Sequence, residues 1–190
     1  MPGMDGLTAC RVLRSQSDVP IVMLTVLAHE SDAARALEMG ADDYVRKPFG
    51  LDEFMARVKA VLRRTGAAAP GAERLVVGPL VVDEREHQVL LDGTELLLSR
   101  TESSLLAFLV RNQNRILSHD QILERVWGPD YVGAHQVLRV TMSRLRQKLG
   151  GGDAPIIETL SGIGYRLKPR DDKWQHVVPQ AGGSTEDGGR

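Results

Sequence analysis

The chain has 190 residues, 42% of them hydrophobic, and a formal net charge of -1, which is enough sequence for one or two small globular domains. A single cysteine excludes an internal disulfide framework and a multi-cysteine zinc site, and no run approaches the ~18 apolar residues of a membrane span. These features predict a cytoplasmic protein, and the near-neutral balance means that any nucleic-acid binding must come from a local patch.

The first segment, MPGMDG, reads as a loop with Asp5-Gly6 turn chemistry, and Leu7, Cys10 and Leu13 or Val12 then fall on one helical stripe. VPIVMLTV, residues 19–26, is a short β-branched run suited to a strand in a parallel sheet. ESDAARALEMG follows as a helix closed by Gly40, ADDYVRKPF supplies a second strand, and LDEFMARVKAVLRR makes an amphipathic helix. Its predicted apolar stripe is Phe54, Val58, Val61 and Leu62. Alternating strands and helices imply a parallel sheet, although two strands are few for one covered on both faces.

GAAAPGA, residues 66–72, is small, uncharged and turn-prone, so it is read as a linker between domains at 1–65 and 73–170. Residues 171–190 are polar and glycine-rich and are predicted to be a disordered tail. After the linker, RLVVGPLVVDEREHQVLLDGTELLLS predicts an antiparallel sheet with a hairpin at Asp92-Gly93. Ser99 with Glu102, and Ser118 with Gln121, have the spacing of capping boxes opening two helices.

The third helix of this half, HQVLRVTMSRLRQKLG, carries the functional signal. Leu138, Met142, Leu145 and Leu149 form a buried stripe, while Gln136, Val140, Ser143 and Gln147 lie opposite, flanked by Arg139 and Arg144. From Ala134 to Leu149 there are four basic residues (Arg139, Arg144, Arg146, Lys148) and no acidic ones. Such a helix can set polar side chains against base edges while its cations neutralise phosphates, although a basic helix alone is more often a solvated surface. A last hairpin, PIIETLSGIGYRLKP, bends at Ser161-Gly162-Ile163-Gly164.

Two family resemblances rest on these motifs. MPGMDG, Thr25 at a strand end and GADDYVRKPF with Lys47-Pro48 resemble the second half of a response-regulator receiver, the flavodoxin-like CheY fold. LSRTESSLL, ILERVWG, RVTMSRLRQKLG and GIGYRL resemble the winged-helix effector domain of OmpR/PhoB-type regulators. The fold class expected is therefore an α/β receiver fragment, its N-terminal half missing, followed by an α+β winged helix.

The receiver resemblance implies that the phosphoaccepting aspartate and the acidic pair that holds Mg²⁺ precede Met1. Catalytic residues, metal ligands and cofactors are accordingly expected to be none within the chain, Mg²⁺ belonging only to a full-length receiver, and no enzyme activity is expected. A lysine and a hydroxyl at neighbouring strand ends suit the stabilisation of an aspartyl phosphate, and Lys47 and Thr25 match those roles. Tyr44 matches the switch aromatic, and Asp42, Asp43, Glu53, Arg57 and Arg64 match positions of intermolecular ion pairs on a dimer face. Ala33 departs from a basic residue frequent in that family.

The winged-helix resemblance implies DNA contacts by Gln136, Arg139, Val140, Ser143, Arg144, Arg146 and Lys148, and a wing built on Ser161, Gly162 and Gly164. It places RNA polymerase against the 128–133 loop, a homodimer on double-stranded DNA, and a sensor histidine kinase as partner only of a complete receiver. The function expected is sequence-specific transcription regulation in a two-component phosphorelay. The alternative is a regulatory interaction fragment that works through the receiver remnant without controlling promoters. His29, His87, His119, His135 and His176 show no ligand spacing in the sequence.

Overall fold

The computed structural model describes residues 4–26, 35–65, 74–86, 88–150 and 155–170, with the side chains of 63–65 excepted. The predicted linker at 66–72, the tail at 171–190, Ala33, His29, His87 and His176 lie outside the described residues, as does the side chain of Arg64.

Helix α1 (Gly6–Gln16) begins one residue earlier than its apolar stripe suggests, because Asp5 is its N-cap. The Asp5 carboxylate accepts from the Leu7 and Thr8 backbone N–H groups, both at 2.9 Å, and from the Thr8 hydroxyl. Those bonds hold its pKa below the ordinary carboxylate value. Strand β1 (Val22–Thr25) is shorter than the predicted 19–26 run and pairs in parallel with β2 (Asp43–Arg46). Residues 35–38 form a helical turn ending at Gly40, whose φ of +116° suits glycine.

Helix α2 (Leu51–Thr65) corrects one detail of the pattern: Ala60 and Val61 are buried, whereas Leu62 is 54% exposed. Cys10 is buried as a helix core residue, and desolvation raises its thiol pKa.

Strands β3 (Arg74–Val77), β4 (Leu80–Asp83), β5 (Gln88–Leu91) and β6 (Thr94–Glu95) make an antiparallel meander in sequence order. Asp92 and Gly93 both take positive φ, 51° and 74°, as the hairpin motif requires. Helix α3 (Arg100–Arg111) opens on the full Ser99/Glu102 capping box. Strand β7 (Leu117–Ser118) leads into α4 (His119–Val126), opened by the second box, Ser118/Gln121. A 3-10 turn (Pro129–Tyr131) connects to α5 (His135–Leu149). The final hairpin joins β8 (Ile156–Leu160) to β9 (Gly164–Lys168), and β9 also pairs with β7.

The two halves are not separately packed, as the domain reading suggests they should be. Leu37 and Ala60 from the first half belong to the same buried cluster as Leu105, Leu106, Ile122, Leu138 and Leu145 from the second, with Tyr44 packed against it. Among the described residues the first half's own sheet is this one pair of strands, and Leu24 within it and Val26 just after it stay exposed.

Candidate nucleic-acid interface

The stripe read from the sequence of α5 is the one that the fold buries: Leu138, Met142 and Leu145 are fully covered and Leu149 nearly so. That anchors the helix by one edge and fixes which residues stand away from it. Arg139, Ser143 and Gln147 are exposed and Gln136 is half-buried; Gln136 accepts a hydrogen bond from Arg139 at 2.9 Å. Val140, expected on the same face, is buried. It shares its cluster with Leu37 of the first half.

The remaining basic residues are committed within the chain. Arg144 pairs with the fully buried Glu102 at 2.9 Å and donates from Nη1 to the carbonyl oxygens of Leu37, 3.0 Å, and Ala41, 3.4 Å. Arg146 donates through Nε and Nη2 to the Ile157 carbonyl and through Nη2 to Thr159 Oγ1, tying the helix to the wing strand. Lys148 donates to the Leu97 carbonyl and to Glu102 Oε2, both at 2.7 Å. Glu102 therefore has two duties: its Oε2 also accepts from the Ser99 N–H to close the capping box.

In the wing, Ser161 is exposed and Gly162 takes a φ of +72° at the turn. Gly164 is required for another reason, since a Cβ there would meet the Leu117 carbonyl oxygen at 1.8 Å where β9 crosses β7. Arg166 and Lys168 both engage Glu158 across the hairpin, at 2.7 and 2.8 Å. The Lys168 and Arg166 hydrogen bonds hold the Glu158 carboxyl below the ordinary range.

At the foot of α5 the fold gathers groups that lie far apart in the chain. Asp120 accepts from the Gly133 N–H at 3.0 Å and contacts His135 Nε2 at 3.1 Å, contacts that depress its pKa. The His119 ring lies 5.1 Å from that of His135 and 5.5 Å from that of Tyr165. Sequence spacing could not reveal this cluster, because three elements build it. Among the described residues no group of three or more His, Cys, Asp or Glu side chains could hold a metal ion.

The receiver-like residues are placed as follows. Thr25 and Lys47 meet at the carboxyl ends of the parallel pair, where the Lys47 N–H donates to the Thr25 carbonyl at 2.6 Å. Asp42, Asp43 and Arg57 are not on an open dimer face in this conformation. Asp42 is 5% and Asp43 0% exposed. Asp42 takes Arg14 at 2.5 Å, the Ile21 N–H at 3.0 Å and the Thr101 hydroxyl at 2.7 Å. Asp43 takes Arg57 and the Tyr131 hydroxyl, and the Arg57 guanidinium lies 5.3 Å over the Tyr131 ring. Burial works against the Arg57 charge, but Asp43 and Tyr131 offset it and raise its pKa. Glu53 remains exposed and pairs with Arg57 at 3.3 Å.

The sequence matches the response regulator receiver domain family over residues 1–59 and the C-terminal transcriptional regulatory protein family over residues 93–167. It is 42% identical over 171 residues to the probable transcriptional regulatory protein TcrX of Mycobacterium tuberculosis, covering 89% of this chain and 73% of that protein. The chain belongs to the OmpR/PhoB-type response regulators.

A second relative of this response regulator, VanRB of Enterococcus faecalis, is 42% identical over 168 residues, 88% of this chain and 74% of its own. A solved variant of RitR is similar in structure, with a TM-score of 0.66 at 26% identity over 88% of this chain and 75% of that one. Receiver and winged-helix DNA-binding domains therefore follow one another in this regulator. Among its described residues no helix is long and apolar enough to cross a membrane.

Proposed function

We propose that this regulator binds double-stranded DNA sequence-specifically through α5 and the β8–β9 wing to control transcription. The observation that carries the reading is α5 itself, sunk by its leucine edge into the core while Gln136, Arg139, Ser143 and Gln147 stand clear of that edge. A helix with side chains is about 10–12 Å across and the major groove is about 12 Å wide, so such a helix fills the groove. Gln136, Arg139, Ser143 and Gln147 are then the base-edge set, Arg144 joins them or the phosphates, and Arg146 and Lys148 support the helix and wing from within.

Titration of the full chain with a pool of random-sequence duplexes, followed by the selected site, tests the reading. Arg139→Ala is expected to lower the salt slope by about 0.9 if it neutralises one phosphate, or to cost about 1–3 kcal/mol at one base position if it reads an edge. Unchanged affinity at every salt concentration for Arg139→Ala and for Gln136→Ala with Ser143→Ala would overturn the assignment.

The same reading makes the exposed Pro129, Asp130 and Val132 of the 128–133 loop the contact for RNA polymerase, and places the protein on DNA as a homodimer. Asp5 caps α1, its carboxylate accepting from the Thr8 and Leu7 N–H groups and from the Thr8 hydroxyl, so it is read as a loop residue and not as a phosphoacceptor. Acetyl phosphate with Mg²⁺ should accordingly leave the intact mass unchanged. A stoichiometric adduct abolished by Asp5→Asn would instead make Asp5 the acceptor.

A further inference from the structure

We infer that His119 and His135 form a proton-dependent contact for a phosphodiester of the duplex, so that DNA binding tightens as pH falls, an inference that rests on the DNA-binding reading above. The two rings come from different helices and meet with centroids 5.1 Å apart. His135 opens α5 and is exposed, one helical turn before the exposed Arg139 and two before Ser143, so it continues the line of side chains proposed to face DNA. His119 opens α4 and is half-buried beside the wing. Its N–H donates to the carbonyl of Ile163 in the wing turn at 3.3 Å, and its ring meets that of Tyr165 on β9 edge-on at 5.5 Å. The pair therefore bridges α5 and the wing, the two elements proposed to lie on the duplex.

The neighbouring groups decide the sign of the effect. Asp120 is exposed, and the Gly133 N–H and His135 hold its carboxyl below the ordinary range, so it is ionised throughout the range in which imidazoles titrate. An ionised carboxylate only accepts, so Nε2 of His135 donates to it at 3.1 Å, and a proton taken up on acidification goes to Nδ1. Tyr165 brings its ring from β9, and the Arg146 guanidinium of α5 lies 5.5 Å over that ring while donating to Ile157 and Thr159. Arg166 and Lys168 alternate to the opposite face of β9, where Glu158 engages them.

With both rings neutral, the group formed by Asp120, His119 and His135 is net negative and repels a phosphate. With both protonated it is net positive, but two imidazolium rings 5.1 Å apart repel each other unless an anion lies beside them. A backbone phosphate supplies that anion, so proton uptake and DNA binding favour each other. Affinity accordingly falls as pH rises through the ordinary imidazole value of about 6.5.

The test uses the full chain and the site selected from the duplex pool, at about pH 8 and about pH 6, on either side of that value. In the parent, affinity is expected to rise about tenfold on acidification, the effect of one unit of differential proton affinity, and the salt slope to steepen by about 0.9 for each imidazolium that neutralises a phosphate. Calorimetry in buffers of different ionisation enthalpy should show net proton uptake on binding. His119→Gln with His135→Gln should lose both the rise and the uptake. His135 is exposed, so His135→Gln and His135→Arg test the pair even where replacing the half-buried His119 disturbs packing. The glutamine variant should bind at about the parent's high-pH level with a smaller rise, and the arginine variant should bind more tightly than the parent at high pH.

A parent whose affinity and salt slope are the same at both pH values overturns the inference while DNA binding stands. So does a pH dependence that survives intact in His135→Gln and in the double variant, since the titrating groups then lie elsewhere. If no duplex binds at either pH, the DNA-binding reading fails and the inference fails with it.

Discussion

Glu102 shows how much one residue can be asked to do. It closes the cap of α3, and it neutralises Arg144 and Lys148 from a position with no solvent exposure. Removing one partner of a buried ionic cluster leaves the others desolvated and unpaired, so Glu102→Ala should destabilise the chain by about 3 kcal/mol. Glu102→Gln keeps an acceptor for the Ser99 N–H and should lose less. Urea midpoints with unchanged slopes check both values, and a midpoint shift near zero for the alanine variant would show that the cluster contributes nothing net. Gly164 is as constrained for steric reasons: a methyl group there overlaps the Leu117 carbonyl, so Gly164→Ala must separate β7 from β9. The sequence marked both residues, Glu102 through its spacing from Ser99 and Gly164 through its place in the wing turn. It could not show that either is bound by a distant element.

Among the elements, the wing gives a pH prediction. Glu158 is hydrogen-bonded by Lys168 and Arg166, which depresses its folded-state pKa. Its contribution is therefore present above the unfolded carboxylate value, about 4.3, and is lost as pH falls through the lower folded value. Amide exchange of β8 and β9, corrected for intrinsic rates, should accelerate over that window in the parent and show a flatter pH dependence in Glu158→Gln. The hairpins, capping boxes and buried edge of α5 were legible because each is a local pattern whose period or turn residue points to one conformation. The wing tie through Arg146 was not legible, since its partners Ile157 and Thr159 contribute backbone and hydroxyl groups that no residue pattern advertises. Nor was the burial of Asp42 and Asp43, whose acidity suggests a solvated or intermolecular role until the opposing hydroxyls of Thr101 and Tyr131 are placed.

At the scale of the whole molecule, the linker composition suggests two halves that fold independently, and the shared cluster argues for coupling. Strands β1 and β2 are four residues each, a parallel pair too small to cover its own faces, whereas among the described residues the second half holds seven strands, three α-helices and most of the buried leucines. The first half should therefore draw much of its stability from the contact, and the second half should need little in return. Hydrogen exchange can resolve this asymmetry. In the parent, the Val45 and Val61 amides are expected to be well protected, although less so than that of Leu105. In the Thr101→Val, Tyr131→Phe variant, exchange at Val45 and Val61 should accelerate at least tenfold while Leu105 changes little, because the buried carboxylates lose their partners in the second half but α3 keeps its core. Acceleration of all three would mean that the two halves unfold as one unit, and no change at Val45 and Val61 would mean that the first half stands on its own contacts.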